Sequence, residues 1–312
     1  MTVELLQIGP LMPRLMEALA KSYRVHRLWE AADKDKLLRE IGPSVRAIAT
    51  DGHRGASSAV MAALPKLEII SCFGVGVDAV DLPAAKARGV KVTNTPDVLN
   101  DDVADLALGL MLAVYRTLPL ADRFVREGRW LQGPLPLNRK LTGQRLGIVG
   151  LGRIGLAVAK RAAGFDMSIA YHNRKRRTDV PFAFHADAVS LARNVDVLCL
   201  TCPGGAETRH LVNAQVLDAM GPQGVLINVA RGSVVDEPAL VKALAEKRIA
   251  AAGLDVFEAE PRAPEALFKL DNVVLTPHIA SGTTQTRAAM ADLVTENLRR
   301  HFAGEPLKTP LW

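Results

Sequence analysis

Arg145-Leu146-Gly147-Ile148-Val149-Gly150-Leu151-Gly152-Arg153-Ile154-Gly155 joins a short apolar run to a helical pattern that continues to Ala163. A strand, a G-x-G-x-x-G turn and a helix in that order form a dinucleotide-binding fingerprint. Gly150 permits a tight strand-to-helix turn, Gly152 lets the backbone approach a pyrophosphate, and Gly155 lets helix and strand pack closely. The helix start adds unpaired N–H donors and a partial positive charge. In a chain with 24 glycines the hexapeptide alone is weak, and the flanking strand and helix give it weight.

The next strand, residues 167–171, selects the dinucleotide. An NAD site places Asp or Glu just beyond it to accept hydrogen bonds from the adenosine ribose. This chain has His172, Asn173, Arg174, Lys175, Arg176 and Arg177. A carboxylate there would repel a 2′-phosphate, whereas Asn173 can donate to one and Arg174 and Lys175 can neutralise it. The reading is NADP(H). Elsewhere, four consecutive basic residues usually mark a solvated loop or a localisation signal, but this position favours the phosphate.

Composition narrows the function classes. The chain has 312 residues, 49% of them hydrophobic, with a mean hydropathy of +0.12, enough for two buried cores. Residues 106–115 form an uncharged apolar run of ten between Asp105 and Arg116, too short to span a bilayer. The start, MTVELLQIGP, reads as a buried strand rather than a signal peptide, so a soluble cytoplasmic protein is expected. Net charge is +6, but four of the 39 Lys and Arg are residues 174–177. Without them the balance against 33 acidic residues is nearly even, and aromatic content is only 4%, so nucleic-acid binding is not expected. Cys199-Leu200-Thr201-Cys202 ends a strand instead of opening a helix, where a redox pair would sit, and no metal site or disulfide is expected.

Periodicity gives an α/β fold of two Rossmann-like parallel-sheet domains, one flavodoxin-like and one dinucleotide-binding, with a cleft between them. Apolar runs at residues 3–8, 23–28, 47–49, 67–71 and 90–93 alternate with helical segments. A second series of six strands lies at residues 146–149, 167–171, 195–200, 225–229, 250–254 and 273–275. The predicted division is residues 1–98 with 284–312 as the substrate-binding domain and residues 99–283 as the NADP-binding domain. A long helix from Val103 to Leu118 is opened by Asp101, Asp102 and Asp105, acids that complement the helix dipole.

Such sheets bind ligands beyond the carboxyl ends of their strands. Three late strands end in ionisable residues: Arg231-Gly232, then Asp255, Glu258 and Glu260, then Pro277-His278. An imidazole delivers a proton to a developing alkoxide, a neighbouring carboxylate orients the ring and favours its protonated form, and a guanidinium clamps a carboxylate. Each residue alone is more often a surface ion pair, a solvated loop acid or a cap. Together they suit hydride transfer to a 2-oxo acid.

The glycine turn, residues 228–237 (NVARGSVVDE), residues 253–261 (GLDVFEAEP) and residues 276–283 (TPHIASGT) resemble the D-isomer-specific 2-hydroxyacid dehydrogenases. Residues 72–78 (CFGVGVD) and 92–97 (VTNTPD) fit the substrate-domain motifs of that family, and the likeness covers essentially the whole chain. Its hydroxypyruvate, glyoxylate and hydroxyphenylpyruvate reductases that use NADPH look most similar.

The resemblance implies roles at matching positions. His278 is the acid/base, Glu260 its partner, and Arg231 binds and polarises the oxo acid. Backbone N–H groups of Val75 and Gly76 hold the substrate carboxylate. Gly150, Leu151, Gly152, Arg153 and Ile154 cradle the cofactor phosphates. Asp255 contacts the nicotinamide carboxamide, with Val229 and Ala230 lining that pocket, and Val103, His278, Ser281 and Gly282 are further cofactor contacts. Cys202, Pro203 and Thr208 lie along the adenosine and phosphates, and a homodimer is implied. Gly133 stands where some glyoxylate reductases carry a second Trp, three residues beyond Trp130, which leaves room for aryl pyruvates. The loop Asp51-Gly52-His53-Arg54 either favours small anionic substrates or meets solvent. Two alternatives share the scaffold: a dinucleotide-sensing corepressor without turnover, and an NAD-linked dehydrogenase.

Overall fold

The computed structural model describes residues 2–312. The chain forms two compact units, residues 1–99 with 283–312 and residues 100–282.

In the first unit β1 (Glu4–Gln7), α1 (Pro13–Ser22), β2 (Arg24–Arg27), α2 (Lys34–Ile41), β3 (Val45–Asp51), α3 (Ser58–Ala62), β4 (Ile69–Phe73), α4 (Leu82–Ala87) and β5 (Lys91–Thr93) alternate. The strands pair in parallel in the order β2-β1-β3-β4-β5, with Leu5 opposite both Val25 and Ala47. That is the flavodoxin-like order. Leu5, Leu6, Ile48, Ile69 and Ile70 are wholly buried, each contributing about 1.5–3 kcal/mol of burial free energy. Helix starts are set by short polar side chains: Asp33, Ser57 and Asp81 each accept the N–H three residues on, which satisfies a donor the helix leaves unpaired. A returning helix, Thr284–Ala303, packs on β4 and α1. Its buried Asn297 takes the N–H groups of Lys308 and Thr309 and so pins the extended tail.

In the second unit α5 (Asn100–Tyr115) and α6 (Leu118–Arg126) precede β6 (Arg145–Val149), α7 (Arg153–Ala163), β7 (Ser168–His172), β8 (Ala183–His185), α8 (Ala188–Arg193), β9 (Val197–Leu200), α9 (Ala214–Met220), β10 (Val225–Asn228), α10 (Glu237–Ala245), β11 (Ala251–Leu254) and β12 (Val273–Leu275). Thr284–Ala303 is α11. The sheet is wholly parallel in the order β12-β11-β10-β9-β6-β7-β8. From β6 outward this is the dinucleotide-binding order with one further strand. Six strands were expected, and the seventh, β8, has Ala183 exposed and Phe184 and His185 half-buried, so its three residues form no apolar run.

The long helix expected over residues 103–118 is two helices. Thr117 adopts a left-handed conformation at φ +45°, and Pro119 sits at the start of α6. The opening acids also do more than meet a dipole, since Asp101 and Asp105 both pair with Arg161 of α7, at 3.0 and 2.5 Å. No single helix among the described residues is long and apolar enough to cross a membrane.

Candidate active site

The glycine turn assigns each glycine a different physical task. Gly150 has φ +96°, and a Cβ there would lie 2.5 Å from the Cys202 backbone. A Cβ on Gly155 would lie 2.7 Å from the Gly150 carbonyl, so helix and strand approach only without one. A Cβ on Gly152 would meet nothing within 4 Å, and as the residue before α7 it offers no side-chain cap. Seven other helices are capped by Asp, Ser, Asn or Thr. An uncapped helix start with open space where a Gly152 side chain would stand fits the phosphates of a dinucleotide.

Beyond β7 the basic residues divide. Asn173 Oδ1 accepts the Leu151 N–H at 2.6 Å and its Nδ2 donates to Leu151 O at 3.4 Å. Asn173, expected to donate to a 2′-phosphate, thus also braces the glycine turn. Arg177 is likewise engaged, donating to Leu151 O at 3.0 Å and pairing with Asp179. Arg174, Lys175 and Arg176 are exposed. Arg174 lies 2.5 Å from Glu207 of the loop after β9, with both side chains more than 75% exposed. In that loop Thr208 donates to Pro203 O at 2.7 Å. Cys202 is buried against Gly150; burial pushes its thiol up to about 11 and that of Cys199 to about 12, so neither is a thiolate at neutral pH.

The loops after β11 and β12 bring Glu260 and His278 together, and Arg231 lies on the loop after β10 in the same unit. The His278 ring faces Glu260, with Nδ1 2.8 Å from Oε2 and the two side chains 27% and 18% exposed. Glu260 Oε1 accepts the Phe257 N–H at 3.0 Å, so both carboxylate oxygens are oriented. His278 has φ +53°, a sparsely populated conformation for this residue type. Its N–H donates to Asp255 O at 2.8 Å. The Asp255 side chain fixes the same turn: it accepts from Thr276 Oγ1 at 2.6 Å and from the Ile279 and Ala280 N–H groups, both at 2.9 Å. Asp255 is fully buried, and burial raises its pKa against the pull of those donors. Asp255, expected at the nicotinamide carboxamide, thus also anchors the His278 turn.

Arg231 follows Val229 and Ala230, both buried, and Nη1 donates to Ala230 O at 2.8 Å. Its turn is set by Asn228, fully buried, which accepts the Ala230 N–H and donates to Arg231 O, each at 3.0 Å. Asn228 and Asp255 as turn anchors escaped the sequence reading. The signal for Asn228 was local, a polar residue ending an apolar strand three positions before an Arg. Val103 is buried in α5; Ser281 is half-buried and Gly282 exposed.

In the first unit the loop after β4 is braced by Asn94, whose Nδ2 donates to Val75 O at 2.8 Å. The N–H groups of Val75 and Gly76 take no part in that loop's backbone hydrogen bonds. Arg54 pairs with Asp51, while His53 is exposed.

The model of the D-isomer-specific 2-hydroxyacid dehydrogenase NAD-binding domain matches residues 108–280. Hydroxyphenylpyruvate reductase of Plectranthus scutellarioides is 50% identical over 309 residues, covering 99% of each chain. Glyoxylate/hydroxypyruvate reductase A of Arabidopsis thaliana is 48% identical over 310 residues, again covering 99% of each. Among solved structures, an NADPH-dependent glyoxylate/hydroxypyruvate reductase from Sinorhizobium meliloti, in complex with NADP and malonate, superposes with a TM-score of 0.94 at 47% identity, covering 100% of this chain and 97% of that one.

Proposed function

Because the chain belongs to the D-isomer-specific 2-hydroxyacid dehydrogenase family, we propose that it reduces small 2-oxo acids, namely glyoxylate, hydroxypyruvate and aryl pyruvates, to D-2-hydroxy acids with NADPH. The observation that carries this reading is the Glu260–His278 pair at 2.8 Å in the same unit as the uncapped glycine turn.

A bound nicotinamide coenzyme supplies the hydride. The residues supply everything else. Glu260 occupies Nδ1, so the proton delivered to the ketone oxygen leaves from Nε2 of the imidazolium. The carboxylate keeps the ring in one orientation and balances its charge. Arg231 supplies a fixed positive charge where negative charge develops on the oxo acid. The N–H groups of Val75 and Gly76 offer the substrate carboxylate two backbone donors. Gly150, Leu151, Gly152, Arg153 and Ile154 form the phosphate cradle, and Pro203 and Thr208 flank the cofactor.

Arg174 and Lys175 support the choice of NADPH. No carboxylate follows β7, and exposed cations occupy its place. Glu207 competes for Arg174, but an exposed ion pair contributes only about 0–1 kcal/mol. A doubly charged phosphate forms stronger charge-assisted bonds. The exposed apolar residues Leu118, Val125, Trp130, Leu131 and Leu137 suit a homodimer interface. Three buried, free cysteines suit a reducing cytoplasm.

The test is coenzyme consumption by the purified protein offered glyoxylate, hydroxypyruvate or hydroxyphenylpyruvate with NADPH or NADH. Turnover with a preference for NADPH is expected. Absence of turnover with every acid would return the protein to a dinucleotide-sensing role, and a preference for NADH would overturn the phosphate assignment.

A further inference from the structure

Two consecutive backbone N–H groups after β11 end on carboxylates. Phe257 donates to Glu260, the partner of His278, at 3.0 Å, and Glu258 donates to Glu237 Oε1 at 2.7 Å. Glu237 is the first residue of α10 and has no part in the chemistry described above.

The peptide joining Phe257 to Glu258 is also the surface on which Gly232 rests. A Cβ at Gly232 would stand 1.9 Å from the Phe257 carbonyl carbon and 2.2 Å from Glu258 N, so only glycine allows the approach. Gly232 directly follows Arg231. One peptide unit is therefore pressed against the Arg231 turn, hydrogen-bonded by Glu237, and continuous with the N–H that orients Glu260.

A simpler account would make Glu237 a dipole-complementing acid at the start of α10. Asp236 already fills that need, capping the helix through the Ala239 N–H at 3.1 Å. Burial and the neighbouring Glu258 and Glu260 all disfavour the charge of Glu237. Retaining a carboxylate against that opposition makes sense through the N–H it receives. The Glu258 carboxylate does not share the task, since it takes Arg209 at 2.5 Å and His210 at 3.3 Å on the loop after β9.

We propose that Glu237 is a positioning residue, which by fixing the Phe257–Glu258 peptide against Gly232 sets Arg231 in register with the Glu260–His278 pair. The proposal rests on the reading of those three residues as the reacting set. It depends on an acceptor at the right reach, not on charge.

Two conservative variants of the full-length protein, Glu237→Gln and Glu237→Asp, separate these. Gln keeps the reach and an accepting oxygen but loses the charge, whereas Asp keeps the charge and withdraws the acceptor by one methylene. Expected is a kcat for glyoxylate reduction by Glu237→Asp lower by on the order of 100-fold, the cost of a misplaced reacting group. Glu237→Gln should stay near the wild-type kcat, and the NADPH dissociation constant should not move in either. Thermal unfolding of both variants identifies a merely structural effect, which would lower the midpoint and leave kcat at permissive temperature unchanged. Wild-type kcat in both variants, or a Gln variant as slow as the Asp variant, overturns the proposal. Full turnover by a His278→Ala protein would instead sink the reading on which it rests.

Discussion

The glycine turn and the loops after β10, β11 and β12, at the carboxyl ends of the same sheet, differ in how much they leave uncapped. At Gly150 to Gly155 the helix start has no side-chain cap, and the space over Gly152 is open. At the ends of β10, β11 and β12 the donors are already committed. The N–H groups of Ala230, Phe257, Glu258, Ile279 and Ala280 end on Asn228, Glu260, Glu237 and Asp255. An anion site works by keeping donors waiting for a ligand. Proton transfer works by denying an imidazole any freedom to move, and pre-satisfied loops do that before substrate arrives. The contrast predicts that binding and turnover respond to different substitutions.

The largest effect is expected at the rigid end. His278→Ala should lower turnover by about 10²–10⁴-fold, the usual contribution of a positioned general acid. Steady-state kinetics with glyoxylate and NADPH reads this directly. The open end should break in a different way. Gly152→Asp introduces a side chain where a Cβ meets nothing, at an extended φ of −92°. It should cap α7 and raise stability by about a few tenths of a kcal/mol, because the carboxylate can accept a helix-start N–H that glycine leaves to solvent. The same carboxylate displaces and repels a pyrophosphate, so NADPH affinity should fall by about 100-fold, the equivalent of about one strong charge-assisted bond. Paired thermal melts and NADPH titrations check both signs, and a variant losing stability and affinity together would show that the turn is structural.

Smaller effects belong to the rims. Arg174→Ala with Lys175→Ala should narrow the NADPH over NADH preference by about 10–100-fold, since each charged hydrogen bond is worth about 1.5–3 kcal/mol and both groups are exposed. An unchanged cofactor ratio would remove these residues from recognition. Cys199 and Cys202 should resist a thiol reagent at neutral pH, because burial raises their pKa values to about 12 and about 11 and leaves the unreactive thiol dominant. Rapid labelling of native protein, compared with the denatured chain, would show that the Gly150 turn opens in solution.

Legibility followed the same divide. The glycine turn was readable because its three tasks fall within six consecutive residues, flanked by a strand and a helix. The other strands were readable from apolar runs, the three-residue β5 and β12 included, whereas β8 was not, because Ala183-Phe184-His185 places a single large apolar residue beside an exposed Ala and a His. The break between α5 and α6 falls just past the apolar run, at Arg116 and Thr117, and is made by the left-handed backbone at Thr117 ahead of Pro119. Arg231, Glu260 and His278 were legible as ionisable residues at strand ends. Their supports were not: Glu237 meets Glu258 from 21 positions away, and a Glu in a loop is the same letter whether it faces water or a backbone N–H. Asn173 was legible as a donor beyond β7, but its bond to the Leu151 N–H, 22 positions away, was not.

The division between a waiting anion site and a committed proton site is tested most directly by the NADPH dissociation constant of the His278→Ala protein, measured by calorimetric titration. An affinity indistinguishable from wild type in a protein that no longer turns over is the predicted result. A loss of NADPH binding in step with the loss of turnover would contradict it.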